Sequence, residues 1–378
     1  MMKKQIESIK DKVSPHTIKK IELIEKYVED WSHKLLNYPK CKGVIFIDCM
    51  CNSGVYLDDK GNEIVGTPVR VAKYLSNIME KHLDKHAILY FNDLYIEKIE
   101  ELKNHLPQNT DNFEIMTSTG DANDILKDIA TNLSDKKEFH CLLVYDPYTA
   151  SIDWDALNPF LNNWGEVIIN HMVSDTIRGV SQAKNPATIS KYEKTYRTSF
   201  EELIFFENDR NTYEKRIQEI IKELHRNKNK KYFIASFPFF NTRNVVIYNL
   251  IHGSSNIEGF KLFKKTAWKI FGGKSSSKDT YGIENQLIID TNKNDKLTTV
   301  TDEYCYYVND IAKYLYDKFE NREDVRLEEV WGALDDHPVF PSEGYRPKIK
   351  NELRDVYNCK LKKDSIIFGN GGNQHENG

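Results

Sequence analysis

The stretch VIFIDCMCNSGVY (residues 44–56) decides the reading of the fold: a continuous apolar run ends in an acid and passes directly into a turn-like segment. Such a run without alternation suits a strand buried on both faces, as in a parallel sheet. The arrangement then repeats. ILYFND (88–93) precedes the helical pattern IEKIEELKNHL, and FEIMTSTGD (113–121) precedes ANDILKDIATNL. FHCLLVYDP (139–147) is a fourth strand with an acid at its end, and WGEVIINHM (164–172) a fifth. Strands alternating with helices imply right-handed crossovers and a doubly wound, mostly parallel α/β sheet. Ligands of such sheets sit beyond the carboxyl ends of the strands, so Asp48, Asp93, Asp121 and Asp146 are expected along one edge.

On the N-terminal side, residues 15–37 space Ile18, Ile21, Ile24, Val28, Trp31 and Leu35 three and four apart, an amphipathic helix to lie over the sheet. The preceding MMKKQIESIKDKV reads as a charged helical pattern. On the C-terminal side, 175–231 reads as a helical insertion ending in the basic run KELHRNKNKK. KYFIASFPF and TRNVVIYNLIHG then give two strands joined by a turn, and IEGFKLFKKTAWKIFG a helix. The expected organisation is a Rossmann-like domain over 1–272 and a linker or sheet-edge segment over 273–299. A small helical, winged-helix-like module over 300–368 and a disordered tail over 369–378 complete it. If that module reads nucleic acid, YRPKIKNELRDVYN (345–358) should enter a groove with Ile349, Leu353 and Val356 inward and Arg346, Lys348, Lys350 and Arg354 outward. The preferred alternative is a docking surface for a protein partner, since Glu352 and Asp355 dilute the positive field.

The chain has 378 residues, 53 basic against 57 acidic side chains and a net charge of −4, which argues against binding polyanions over the whole surface but leaves room for a local basic patch. No run of 18 apolar residues occurs, so no membrane span is expected and the reading is cytoplasmic. Six scattered cysteines, Cys41, Cys49, Cys51, Cys141, Cys305 and Cys359, read as reduced thiols. Cys49 and Cys51 lack a matching second pair, and no metal site is expected.

The chemistry concentrates at the strand ends. Asp48 stands six positions before Gly54, the spacing of acid and glycine in a cofactor loop, and Asn52 is a residue that tolerates the left-handed conformation. No GxGxxG occurs, Asp93 comes 45 residues after Asp48 rather than about 20, and no GxxxxGK[ST] loop is present, which removes NAD and nucleotide hydrolysis. S-adenosylmethionine remains, because its amino group, ribose hydroxyls and adenine amine are donors that carboxylates accept from. Asp48, Asn52, Gly54, Asp93 and Asp121 are the candidate contacts; as an alternative, the acids are caps and turn formers, Asp121 capping its helix. After the fourth strand, Asp146 and Tyr148 can hold a target amine, the acid accepting its N–H and the ring stacking on it. Arg178 is a candidate for a substrate phosphate or carboxylate, with a structural ion pair as the other reading. His171 and His252 read as packed rim residues.

Taken together, HTIKKIELIEKYVEDW (16–31), FIDCMCNSGVY (46–56), GTPVR (66–70), FNDLYIEKIEEL (91–102), GDANDIL (120–126), DPYTASIDWDAL (146–157) and EVIINHMVSDTIRG (166–179) resemble, in their order, the three-Cys-motif partner proteins. VIYNLIHG and GFKLFKKTAWKI (246–270) extend the likeness over most of 15–272. These are methyltransferase-like proteins encoded beside a radical-SAM-like three-cysteine protein. The resemblance implies a class I methyltransferase fold and a protein partner. Where such proteins read DGFAGPGRY this chain has DCMCNSGVY, and DPFG has become DPYT. Two functions follow, a methyltransferase acting on nucleic acid or a partner-bound substrate, and a catalytically degenerate scaffold subunit. Nucleic-acid processing or binding without methylation is a third.

Overall fold

The run at 44–48 forms β1 (Gly43–Asp48), all six residues buried, in a computed structural model. The structure describes residues 8–133, 136–147, 149, 151–162, 165–207, 212–226, 232–278 and 304–368. Tyr148, the end of the basic run at 227–231, most of the expected linker and the expected tail lie outside the described residues. Two compact units divide the chain, Met1–Phe263 and Lys264–Gly378.

In the first unit, α1 (Pro15–Leu36) starts at Ser14, whose hydroxyl accepts the Thr17 N–H at 3.2 Å, with Pro15 supplying the fixed φ of the first turn. Its buried stripe ends at Leu36 rather than the expected Leu35, since Leu23, Tyr27 and Leu36 widen the apolar face beyond strict three-four spacing. After β1 come β2 (Val55–Leu57), β3 (Glu63–Val65), α2 (Thr67–Met79), β4 (His86–Asp93), α3 (Ile96–Lys103), β5 (Phe113–Thr119) and α4 (Ala122–Leu133). β6 (Phe139–Tyr145), α5 (Trp154–Asn162) and β7 (Gly165–His171) follow. The excursion after β7 is helical: α6 (Val173–Gln182), α7 (Pro186–Tyr196), α8 (Phe200–Glu207) and α9 (Thr212–His225). The antiparallel pair β8 (Phe233–Phe240) and β9 (Val246–Ser254) leads to α10 (Ile257–Ile270), within which the two units meet in sequence.

The seven-stranded sheet has the order β5-β4-β1-β6-β7-β9-β8. All pairings from β5 to β7 are parallel, and β9 runs antiparallel to both of its neighbours. The chain builds leftward from β1 through β4 and β5, then crosses back to β6, so the topological switch point lies between the carboxyl ends of β1 and β6. Close pairing at the sheet centre explains Gly43, where a Cβ would fall 2.2 Å from the His86 carbonyl oxygen. Asp48 and Asp93 are the last residues of β1 and β4, Asp146 follows β6 directly, and Asp121 comes two residues after β5.

One expectation fails at the N-terminus. Residues 8–14 are not helical: Lys12 bridges Leu57 in strand fashion, the Val13 N–H donates to the Leu57 carbonyl at 2.9 Å, and the Leu57 N–H to the Asp11 carbonyl at 3.0 Å. This strap is extended because β2 offers it a free edge, and Pro15 discourages helix in the residue before it.

The second unit contains α11 (Val308–Phe319), β10 (Val325–Arg326), α12 (Leu327–Asp335), α13 (Arg346–Asp355), β11 (Lys360–Leu361) and β12 (Ser365–Ile367), its short antiparallel sheet ordered β10-β12-β11. Ile349 and Leu353 are fully buried as expected, but Val356, the C-cap of α13, is 59 % exposed although its N–H still donates to the Glu352 carbonyl at 2.9 Å. Among the described residues no helix is long and apolar enough to cross a membrane, and no group of His, Cys, Asp and Glu is placed to hold a metal. All six cysteines are free and buried.

Candidate functional site

The turn after β1 keeps two left-handed residues, Asn52 with φ 59° and Gly54 with φ 73°. Gly54 is required twice over, since a Cβ there would meet Leu102 Cδ1 at 2.4 Å and Val69 Cγ2 at 2.7 Å. Asn52 carries its positive φ through a side chain that is fully engaged: Nδ2 donates to Asp11 Oδ2 at 2.5 Å and Oδ1 accepts the Ser53 N–H at 2.6 Å. Asp93 braces the loop from β4. Its Oδ2 accepts the Asn52 N–H at 3.1 Å and its Oδ1 the Tyr95 N–H at 3.1 Å.

Asn92, unremarked in the sequence because a neighbouring acid drew the attention, ties three strand ends together. Its Nδ2 donates to the carbonyls of Cys49 at 3.0 Å and Gly120 at 3.1 Å, and its Oδ1 accepts from Ser118. Asp121 is exposed and caps α4, accepting the Asn123 N–H at 2.9 Å. Leu94, directly after Asp93 at the end of β4, is 59 % exposed.

At the switch point itself Asp146 pairs with Lys20 of α1 and accepts from Asn170 Nδ2 of β7 at 2.5 Å. The Asn170 Oδ1 is buried and has no hydrogen-bond donor among the described residues. Lys20, Met50, Asn52, Tyr56, Asp146 and Asn170 line a cavity of 220 Å³. Asp48 is 5 % exposed, and its carboxyl is pushed up to about 7, first by burial and then by the negative charge of Asp146; the N–H of Met50, donating at 3.2 Å, opposes this. Burial also raises Asp93 above the ordinary carboxylate range.

The structure thus brings Asn52 and Asp146 to one cavity with Asp48 buried beside Asp146, places Gly54 and Asp93 behind the loop, and sets Asp121 at the β5 end. Tyr148 lies outside the described residues, and Arg178 belongs to α6 with its side chain outside them. Sequence reasoning missed Lys20 and Asn170, which come from elements at long sequence separation, and Asp11, which sits on the strap and pairs with Lys98 at 2.8 Å. His171 is fully buried and bonded to Tyr196 at 2.9 Å; burial and Arg216 lower its pKa to about 3, so it stays neutral.

No family model and no curated protein matches the sequence. Among solved structures, a Legionella pneumophila protein is similar at 12 % identity and a TM-score of 0.38, over 68 % of this chain and 93 % of its own. Loganic acid methyltransferase, solved with SAH, is similar at 12 % identity and a TM-score of 0.28, over 70 % of this chain and 67 % of its own. Human methyltransferase-like protein 13, also solved with SAH, is similar at 8 % identity and a TM-score of 0.26, over 57 % of this chain and 95 % of its own. The mixed α/β architecture of this chain, built around a mostly parallel seven-stranded sheet, stands on its own strand pairing.

Proposed function

We propose that the chain is an S-adenosylmethionine-dependent methyltransferase that binds the cofactor over the carboxyl ends of β1, β4 and β5 and modifies an amino nitrogen held at Asp146. The observation that carries this reading is the turn after β1, where Asn52 and Gly54 both keep positive φ although only one glycine is left. Loss of the motif's glycine letters has therefore not straightened the loop.

The residues present suit the cofactor's donors. Exposed Asp121 can accept the adenine amine and Leu94 offers the ring an apolar face, while Asp93, 1 % exposed, holds the turn by accepting one backbone N–H on each oxygen. When bound, the sulfonium would supply an electrophilic methyl group. Asp146 would accept the N–H of the acceptor and take up the proton that the nitrogen sheds as its lone pair forms the new bond to carbon. Asn170 Oδ1, a buried acceptor without a donor among the described residues, fits a second N–H of the same amine, and Lys20 holds the Asp146 carboxylate in place. The acceptor belongs to nucleic acid or to a substrate carried by a protein partner, and the motif order supports a radical-SAM-like three-cysteine protein in that role. A winged-helix-like reading of the second unit is supported by its helix–strand–helix–helix–strand–strand order.

A degenerate scaffold is the second reading, favoured by the strap, which sets Asp11 on Asn52 and Lys98 and accompanies an Asp93 only 1 % exposed. Titration calorimetry with S-adenosylmethionine separates the two. Micromolar binding is expected; absence of heat at millimolar cofactor overturns the methyltransferase reading and leaves the scaffold.

A further inference from the structure

Charge in the second unit is strongly segregated. From 346 to 364 seven side chains are Lys or Arg and three are acidic, whereas from 310 to 343 four are basic and ten acidic. The basic stretch is α13, β11 and the turn into β12. On α13, Ile349 and Leu353 face the core, and helical geometry places Lys348, Asn351, Arg354 and Asp355 on the outer side, all four exposed, with Arg354 paired to Asp355 at 2.7 Å. Arg346 and Lys350 flank this face with their cations over the Trp331 ring at 5.3 and 6.0 Å, which positions them without neutralising them. Beyond the helix, Lys360 and Lys363 are exposed on the hairpin.

From this arrangement we infer that the second unit binds B-form DNA, α13 lying in the major groove and the β11–β12 hairpin following the adjacent phosphates. A helix about 10 Å across fits a groove about 12 Å wide. Cations on the outer face and hairpin neutralise phosphates, and Asn351 is a residue type that pairs with adenine. The deep, narrow major groove of A-form RNA does not admit a helix. The overall charge of −4 is no obstacle, because the acidic side chains are concentrated elsewhere in the unit. This inference stands on the second unit alone, so its failure leaves the cofactor reading untouched.

The experiment is fluorescence anisotropy of the full chain with a labelled DNA duplex of about 20 base pairs, from about 50 to 300 mM KCl. Affinity should fall steeply with salt, and Lys348→Glu with Lys363→Glu should weaken binding at least about tenfold and lower the logarithmic salt slope by about two. Lys348→Arg should bind as the parent does, and so should Glu323→Gln, which alters an exposed acid outside the basic stretch. Absence of salt-dependent binding, unchanged affinity in the charge-reversed variant, or equal affinity for an RNA duplex of the same sequence each overturns the inference.

Discussion

Asp48 is held where a carboxylate is least welcome, buried at the centre of the sheet beside Asp146, and its pKa of about 7 lies well above that of an unfolded aspartate. Between roughly pH 4 and 7 the folded chain therefore holds a proton that the unfolded chain has lost. The stability this provides is fully present below the unfolded pKa and is lost as pH rises through about 7, on the order of 4 kcal/mol over the window if the whole shift is expressed. Urea unfolding from pH 4 to 8 should show that decline, and Asp48→Asn, which cannot ionise, should flatten it and be the more stable form at pH 8. A variant with the same pH slope as the parent removes Asp48 as its source.

Lys264 shows how one buried cation ends an element. Fully buried, it donates to the carbonyls of Leu334 at 2.8 Å, Asp335 at 3.1 Å and His337 at 2.7 Å, which closes α12 where the helix leaves acceptors without intrahelical donors. Lys264→Met keeps the aliphatic stem and removes the donor, so the second unit should lose on the order of 3 kcal/mol, read by denaturant unfolding followed at Trp331 and Trp268. A loss under about 0.5 kcal/mol would mean water replaces the ammonium at no cost. In the sequence, Lys264 was one more cation in GFKLFKKTAWKI, indistinguishable from Lys265, which is exposed and pairs with Glu343. The strands were readable because each is a local apolar run that ends in punctuation. By contrast, the β2–β3 hairpin has only three residues per strand, and the strap depends on a partner edge at Leu57. The same holds within the site: Asp48, Asp93 and Asp146 announce themselves by ending strands, whereas Lys20 reaches Asp146 across 126 residues and Asn170 only because β6 and β7 pair in register.

Across the first unit, the sheet order makes its two margins physically different. β5 pairs only with β4, and of its seven residues only Phe113 is buried while three are exposed. At the opposite margin β8 also has one partner, yet most of its residues are buried. In the centre, β1 has partners on both sides and no exposed residue. Opening an amide to exchange requires breaking the ladder and wetting the surface it covers, so protection should follow burial and not pairing alone. Hydrogen exchange read by mass spectrometry should rank peptides from β1 and β6 slowest, β8 next and β5 fastest among the strands. β5 peptides that stay protected as long as those of β1 would show that the margin at Phe113–Thr119 is covered by something the chain itself does not provide, and would move the search for a partner surface to that edge.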